Sequence, residues 1–135
     1  MAVNYTNTVR TNRLRVMRDA VDSKTFVVGS GAGSAGQLVI GTSALSGATG
    51  VLATITLPNP SFAEVTNVAT LQGTPLSATA SATGTAALAE LRNNAGTTVV
   101  SGLTGGTSGA DIIISSTAIT SGQTVQVTSG TITHA

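Results

Sequence analysis

Residues 76–91 read LSATASATGTAALAEL, and the reading of this stretch decides the fold. Ala78, Ala80 and Ala82 alternate with Thr79, Ser81 and Thr83. A period of two puts the methyl groups on one face and the hydroxyls on the other, as in a half-buried strand. Alanine on the inner face implies a close neighbour. Just beyond, Asn93-Asn94-Ala95-Gly96 is a hairpin signal linking residues 86–92 to 97–101. Residues 111–115 form an apolar strand centre. Residues 124–128 put Val125 and Val127 on one face and Gln126 on the other. Ser129-Gly130 then shifts the parity so that Ile132 joins the core, which predicts a bulge. Towards the N-terminus, strands are expected at 65–71 and at 51–57, the latter stopped by Pro58-Asn59-Pro60. Two more, at 37–41 and 25–28, flank a glycine-rich loop. Eight or nine short strands at a spacing of roughly 8–12 residues predict a mainly β chain, an antiparallel β-sandwich or barrel.

One segment breaks the pattern. Residues 7–22, NTVRTNRLRVMRDAVD, have helical period. Leu14, Met17 and Val21 fall at i, i+3 and i+7, flanked by Val16 and Ala20. Arg15, Arg18, Asp19 and Asp22 gather on the opposite, outward face, with Arg15–Asp19 and Arg18–Asp22 as i,i+4 pairs. Asn7 or Thr8 is the expected cap. The chain is thus read as an N-terminal arm and amphipathic α-helix over 1–24 and a β domain over 25–135.

Charge follows the same division. Arg10, Arg13, Arg15, Arg18 and Lys24 are five of the six basic residues. Beyond Lys24 the only charges are Glu64, Glu90, Arg92 and Asp111. The net +1 is therefore +3 on the arm (five basic less Asp19 and Asp22) and −2 on the body (one basic less three acidic). Charged residues are 8% of the chain, against about 25% in ordinary soluble domains. With two Phe, one Tyr and no Trp, the core must be aliphatic. Such a body suits a subunit covered by neighbours, a homo-oligomer with a trimer favoured. The arginines, with Leu14, Met17 and Val21, are the candidate partner-binding residues. The aspartates between them and the lack of an aromatic stacking platform weigh against nucleic acid.

Catalytic chemistry finds little material. There is no cysteine and one histidine, His134, beside the C-terminus. The five carboxylates are scattered, so no catalytic group, metal or cofactor is expected. Gly31-Ala32-Gly33-Ser34-Ala35-Gly36 matches G-x-G-x-x-G after Phe26-Val27-Val28. A dinucleotide site needs a helix next and an acidic residue about 20 positions on. Here Gln37-Leu38-Val39-Ile40 reads as a strand and Glu64 lies too far along, so the stretch is read as a loop. Asn4-Tyr5-Thr6 matches a glycosylation acceptor, but MAVNYTNTVR has no apolar run of the signal-peptide kind. No stretch approaches the ~18 apolar residues of a membrane span.

The ordered set of features resembles small virion structural proteins of tailed bacteriophages. The resemblance is carried by Arg18-Asp19-Ala20-Val21-Asp22, Leu38-Val39-Ile40-Gly41-Thr42 and Leu52-Ala53-Thr54-Ile55-Thr56-Leu57, the last followed by Pro58-Asn59-Pro60-Ser61-Phe62. It continues through Thr83-Gly84-Thr85-Ala86, Ser108-Gly109-Ala110-Asp111-Ile112 and Ile119-Thr120-Ser121-Gly122-Gln123-Thr124-Val125. The chain departs from that family in lacking an aromatic residue near Leu88. The resemblance implies a capsid cement or decoration protein, made in the host cytoplasm and bound on the capsid surface to the major capsid protein or other virion proteins. A tail, neck or fibre component is the alternative within that class. A small ligand-binding or hydrolytic domain is the alternative outside it.

Overall fold

The computed structural model describes residues 6–24, 33–47, 49–59, 61–65 and 68–133. The strand expected at 25–28, Gly31 and Ala32 of the G-x-G-x-x-G stretch, and His134 lie outside the described residues. The helix α1 spans Asn7–Asp22. Its cap is Thr6, one position before the expected pair, whose hydroxyl accepts the Val9 N–H at 3.3 Å. It ends at Ser23 in the left-handed region (φ 57°), where the Lys24 N–H donates to the Asp19 carbonyl at 2.8 Å.

Eleven strands follow among the described residues: β1 (Gln37–Ser46), β2 (Thr49–Thr56), β3 (Phe62–Val65), β4 (Val68–Leu71), β5 (Leu76–Thr79), β6 (Gly84–Thr85), β7 (Leu88–Arg92), β8 (Thr98–Gly106), β9 (Ile112–Ile114), β10 (Ala118–Ile119) and β11 (Thr124–Thr133). Nine of them form one sheet in the order β2-β1-β7-β8-β9-β11-β4-β3, with β5 also on β11. The remaining two, β6 and β10, pair with each other. The mainly β architecture with one N-terminal helix is therefore as the sequence predicts.

The pairing corrects several details. One ladder is parallel: β8 meets β9 with Gly105 opposite Ile112. Asp111 makes this tight return possible. Its carboxylate accepts the Thr104 N–H at 3.0 Å and hydroxyl at 3.2 Å, and its own N–H donates to Thr104 Oγ1 at 3.1 Å. The strand expected at 65–71 is instead the hairpin β3–β4, with Glu64 opposite Ala69. The stretch 76–91 keeps its alternation, with Ser77, Thr79, Ser81 and Thr83 exposed and the alanines between them turned inward. It is divided into three strands because its partners change. The Ala80 N–H donates to Gln123, Ser81 to Leu52, Ala86 to Thr117 and Ala87 to Gly41, each to a carbonyl. The Ser81–Leu52 bond (2.8 Å) draws the chain after β5 against β2, so the sheet curls on itself while its ladder stays open. The expected bulge is present: Val127 pairs with Ile114 and Ser129 with Ile113, which leaves Thr128 unpaired.

The core lies inside this curl. Leu38, Ile40, Leu52, Ile55, Phe62, Leu91, Ile112, Ile114 and Val127 are all fully buried, with Ala80, Ala86 and Ala89 packed among them. α1 lies against β3, β4 and β8 and contributes Leu14 and Val21 to the core. Met17 packs at its margin. The apolar stripe is where the sequence puts it.

The polar side of the helix is not. Asp19 and Asp22 are completely buried, while Val9 and Val16 are exposed. The i,i+4 pairs do not form; Arg18 instead pairs with its neighbour Asp19 and with Glu64 of β3. The cause is non-local. β3 and the turn before it bring partners that let a charged helix side be buried, so the helix is rolled until Val16 faces out.

Candidate functional site

The feature that concentrates ionic chemistry is the seam between α1 and β3. In the run Phe62-Ala63-Glu64-Val65 alternation puts Glu64 on the same inward side as buried Phe62, and leaves Val65 exposed. The Glu64 side chain is 1% exposed. Arg18 Nη1 lies 2.7 Å from Glu64 Oε1, and its Nη2 lies 2.9 Å from Asp19 Oδ1. Arg15 Nε approaches Glu64 Oε1 at 3.6 Å, and Arg15 Nη1 donates to Asn12 Oδ1 at 3.0 Å. One turn on, both Asp22 carboxylate oxygens accept the Ser61 N–H, at 3.2 and 3.1 Å. β2 ends at Thr56, ahead of Pro58, and beyond it Ser61 presents that N–H to the helix.

The seam is compact but not fully satisfied. Asp19 Oδ2, Glu64 Oε2, Ser61 Oγ and Arg10 Nε are buried without a hydrogen-bond partner among the described residues. Burial raises the Glu64 carboxyl above its ordinary value of 4.5; the Arg18 and Arg15 guanidiniums pull it down and the Asp19 carboxylate pushes it up. Ionic groups here serve mainly to clamp the helix to the body.

The candidate partner-binding residues therefore separate. Leu14, Met17 and Val21 face the body. Arg18 is spent on the seam, its side chain 18% exposed. Arg15 is shared, with a side chain 42% exposed. Arg10 is half-buried and Arg13 exposed. The member missed from sequence is Glu64. Its signal was the strand alternation itself, which puts an acid beside Phe62 and demands a basic partner.

The glycine motif also finds its use at the seam. Gly33 adopts φ +65°, and the Ser34 N–H donates to the Asp22 carbonyl at 2.7 Å. A Cβ on Gly36 would lie 2.4 Å from Val21 Cγ1 and 2.6 Å from the Val21 carbonyl. These glycines let the chain pass tightly under the helix end and into β1, as the loop reading requires.

The charges of the body are likewise turned inward. Arg92 binds Glu90 Oε2 through Nη2 (2.9 Å) and Nε (3.2 Å), and also donates to the Gly47 carbonyl at 2.6 Å. Thr98 Oγ1 donates to the same Glu90 oxygen at 3.3 Å. Among the described residues no three His, Cys, Asp or Glu side chains group as metal ligands. No described helix is long and apolar enough to cross a membrane.

One hollow of about 280 Å³ lies along the first half of α1, lined by Asn7, Thr8, Thr11, Asn12 and Arg15. Comparison with known proteins finds no match to any family model, curated protein or solved structure.

Proposed function

We propose that the chain is a non-enzymatic structural protein of a tailed-bacteriophage virion, a capsid cement or decoration protein that binds the major capsid protein as repeated copies. The observation that carries this reading is the treatment of charge on the β body. Glu64, Glu90 and Arg92 are held in internal ion pairs and Asp111 is tied to Thr104. Most exposed strand positions are instead Ser or Thr, as at Ser77, Thr79, Thr98, Thr124 and Thr128. A neutral, hydroxyl-rich exterior has little electrostatic repulsion to keep copies apart. Hydroxyl and methyl surfaces pack closely and hydrogen-bond without first having to lose the hydration of an ion. The resemblance of the ordered sequence features to those of virion structural proteins supports the same reading.

The test is to purify particles of the phage that encodes the chain and locate it by mass spectrometry and electron cryomicroscopy. Repeated copies on the outer head are expected. Absence from mature particles would overturn the reading. Density at the neck or tail would overturn the cement role and leave the virion one.

A further inference from the structure

We propose that the outer face of the sheet around β11 is where two copies of this chain meet, face to face about a two-fold axis. Register builds the face. β11 turns Val125, Val127 and Gly130 inward and leaves Thr124, Gln126, Thr128, Thr131 and Thr133 exposed. Thr124 stands opposite exposed Thr79 of β5, and Gln126 opposite exposed Ser77. On the other side of β11, Ser115 lies beside Gln126, its N–H donating to the Gln126 carbonyl at 3.0 Å. Further along, Thr131 stands opposite Thr70 of β4, which stands opposite Ala63 of β3. Thr133 continues the next row to Val68 and Val65. Val65 is the most exposed large hydrophobic residue among those described, at 72%.

This surface carries no exposed charge. Glu64 is the only charged residue in β3, β4, β5 and β11, and alternation turns it inward, with its side chain 1% exposed. At the usual share of about a quarter, a face of this size would carry about three charges.

Charge also selects the occupant. A nucleic acid, an anionic lipid surface or an ion-bearing protein face would bury its charges here without a counter-charge, which costs several kcal/mol for each unpaired ion. A two-fold contact sets a patch against itself, so any charge on it would meet its like. A face without charge avoids that. Its hydroxyls suit the same contact, because each is both donor and acceptor and needs no complementary set. Size sets the strength. β11 is ten residues long, about 30 Å, and with its flanking strands the face is about 17 Å wide. Two such footprints cover about 1,000 Å², where specific contacts begin, against the ~1,600 Å² of a standard one. The pair is therefore weak in solution, with a dissociation constant that is micromolar or weaker. The inference deepens the virion reading and rests on it only for the setting, in which the contact joins neighbouring copies on the shell.

The test is sedimentation velocity on the full chain across a concentration series up to about 500 μM, well above a micromolar constant. The variants Thr131→Lys and Gln126→Lys put a charge on the face. Ser43→Lys puts one on an exposed position of β1, four strands along the ladder from β11. Unchanged melting curves establish that all three fold. Concentration-dependent dimers are expected for the wild type and Ser43→Lys, with association weakened about tenfold or more in the two face variants. A wild type that stays monomeric throughout would overturn the inference. So would face variants that associate like the wild type, or an equal loss in Ser43→Lys. Electron cryomicroscopy of phage heads lacking the chain, incubated with wild-type protein, separates this from the virion reading. Copies bound to the heads but touching through other surfaces would keep the virion reading and overturn the face. Dimers lost in the face variants, with no copies on the heads, would support the face and overturn the virion reading.

Discussion

Replacing Arg18 by Met separates a buried ionic clamp from an ornamental surface pair. The guanidinium stands between Glu64 and Asp19, at 2.7 and 2.9 Å, with those carboxyl side chains 1% and 0% exposed. Arg18→Met leaves both acids in place without their central cation. Removing one partner of a buried ion pair costs about 3–5 kcal/mol, because the remaining charge stays desolvated. That is a large part of the 5–15 kcal/mol by which domains are ordinarily stable. At about 4 °C per kcal/mol, a value between those of smaller and larger domains, the melting temperature should fall by about 12–20 °C. Urea titration at pH 7 with the same probe gives the free energy directly. Arg18→Lys should retain part of the stability, since it keeps the charge but loses the fork that reaches both acids. Glu64→Gln combined with Arg18→Met should cost less than the two changes added separately, because the neutral amide no longer needs a counter-charge. A loss below about 1 kcal/mol for Arg18→Met, the range of exposed pairs, would refute the description of the seam as a buried clamp.

Other expectations are narrower. The folded-state pKa of Glu64 is raised, so the folded chain holds this proton more tightly than the unfolded chain does. The stabilisation it gives is complete below about pH 4.5 and fades as pH rises through the folded value, and Glu64→Gln should flatten that part of the wild-type stability–pH curve; parallel curves would contradict it. Leu14→Asp should cost several kcal/mol by placing an unpaired charge in the core contact, and loss of helical circular dichroism below the wild-type melt checks it. Gly36→Ala should destabilise by about 1–3 kcal/mol or more through its clash with Val21, whereas Gly96→Ala, with open space around it, should cost only the ~1–2 kcal/mol of a left-handed alanine; equal losses in urea titration would remove the close approach as the reason for Gly36. Asp111→Ala should cost about 1–2 kcal/mol and speed hydrogen exchange at the Thr104 amide, which the carboxylate now engages.

The helix and the roll of the helix differ in how legible they were, and the difference is one of range. Its limits, Asn7 and Asp22, depend on local matters: continuous helical period, no glycine or proline inside, and a cap one residue before. Which side it buries depends on Glu64, 46 positions from Arg18, and on the Ser61 N–H, 39 positions from Asp22. A helical wheel treats charge as outward by default. That default fails when distant backbone and side chains arrive with matching charge. The same holds along the sheet. The alternation of 76–83 was readable because it is a property of the strand alone. The division of 76–91 was not, because it is set by four carbonyls contributed by Gln123, Leu52, Thr117 and Gly41. Asp111 carried no sequence signal for its task, since an acid beside an apolar strand gives no hint of the threonine it will hold.

The inward turn of Arg18 also changes what an arginine-bearing arm does. A row of four outward arginines would be a loose electrostatic tether, each side chain sampling many positions. Here the C-terminal half of α1 is fixed by Leu14, Val21, the Arg18 ion pairs and the Asp22–Ser61 hydrogen bonds. A helix is stiff over three or four turns, so fixing one half orients the other. The hollow and its Arg15 are then held at a set position relative to the sheet. On the proposed shell, each neutral body would meet its neighbours while the helix offers a separate, charged contact. Burying the seam's charge is what joins these two requirements, because it removes ions from the body's surface and uses them to aim the helix.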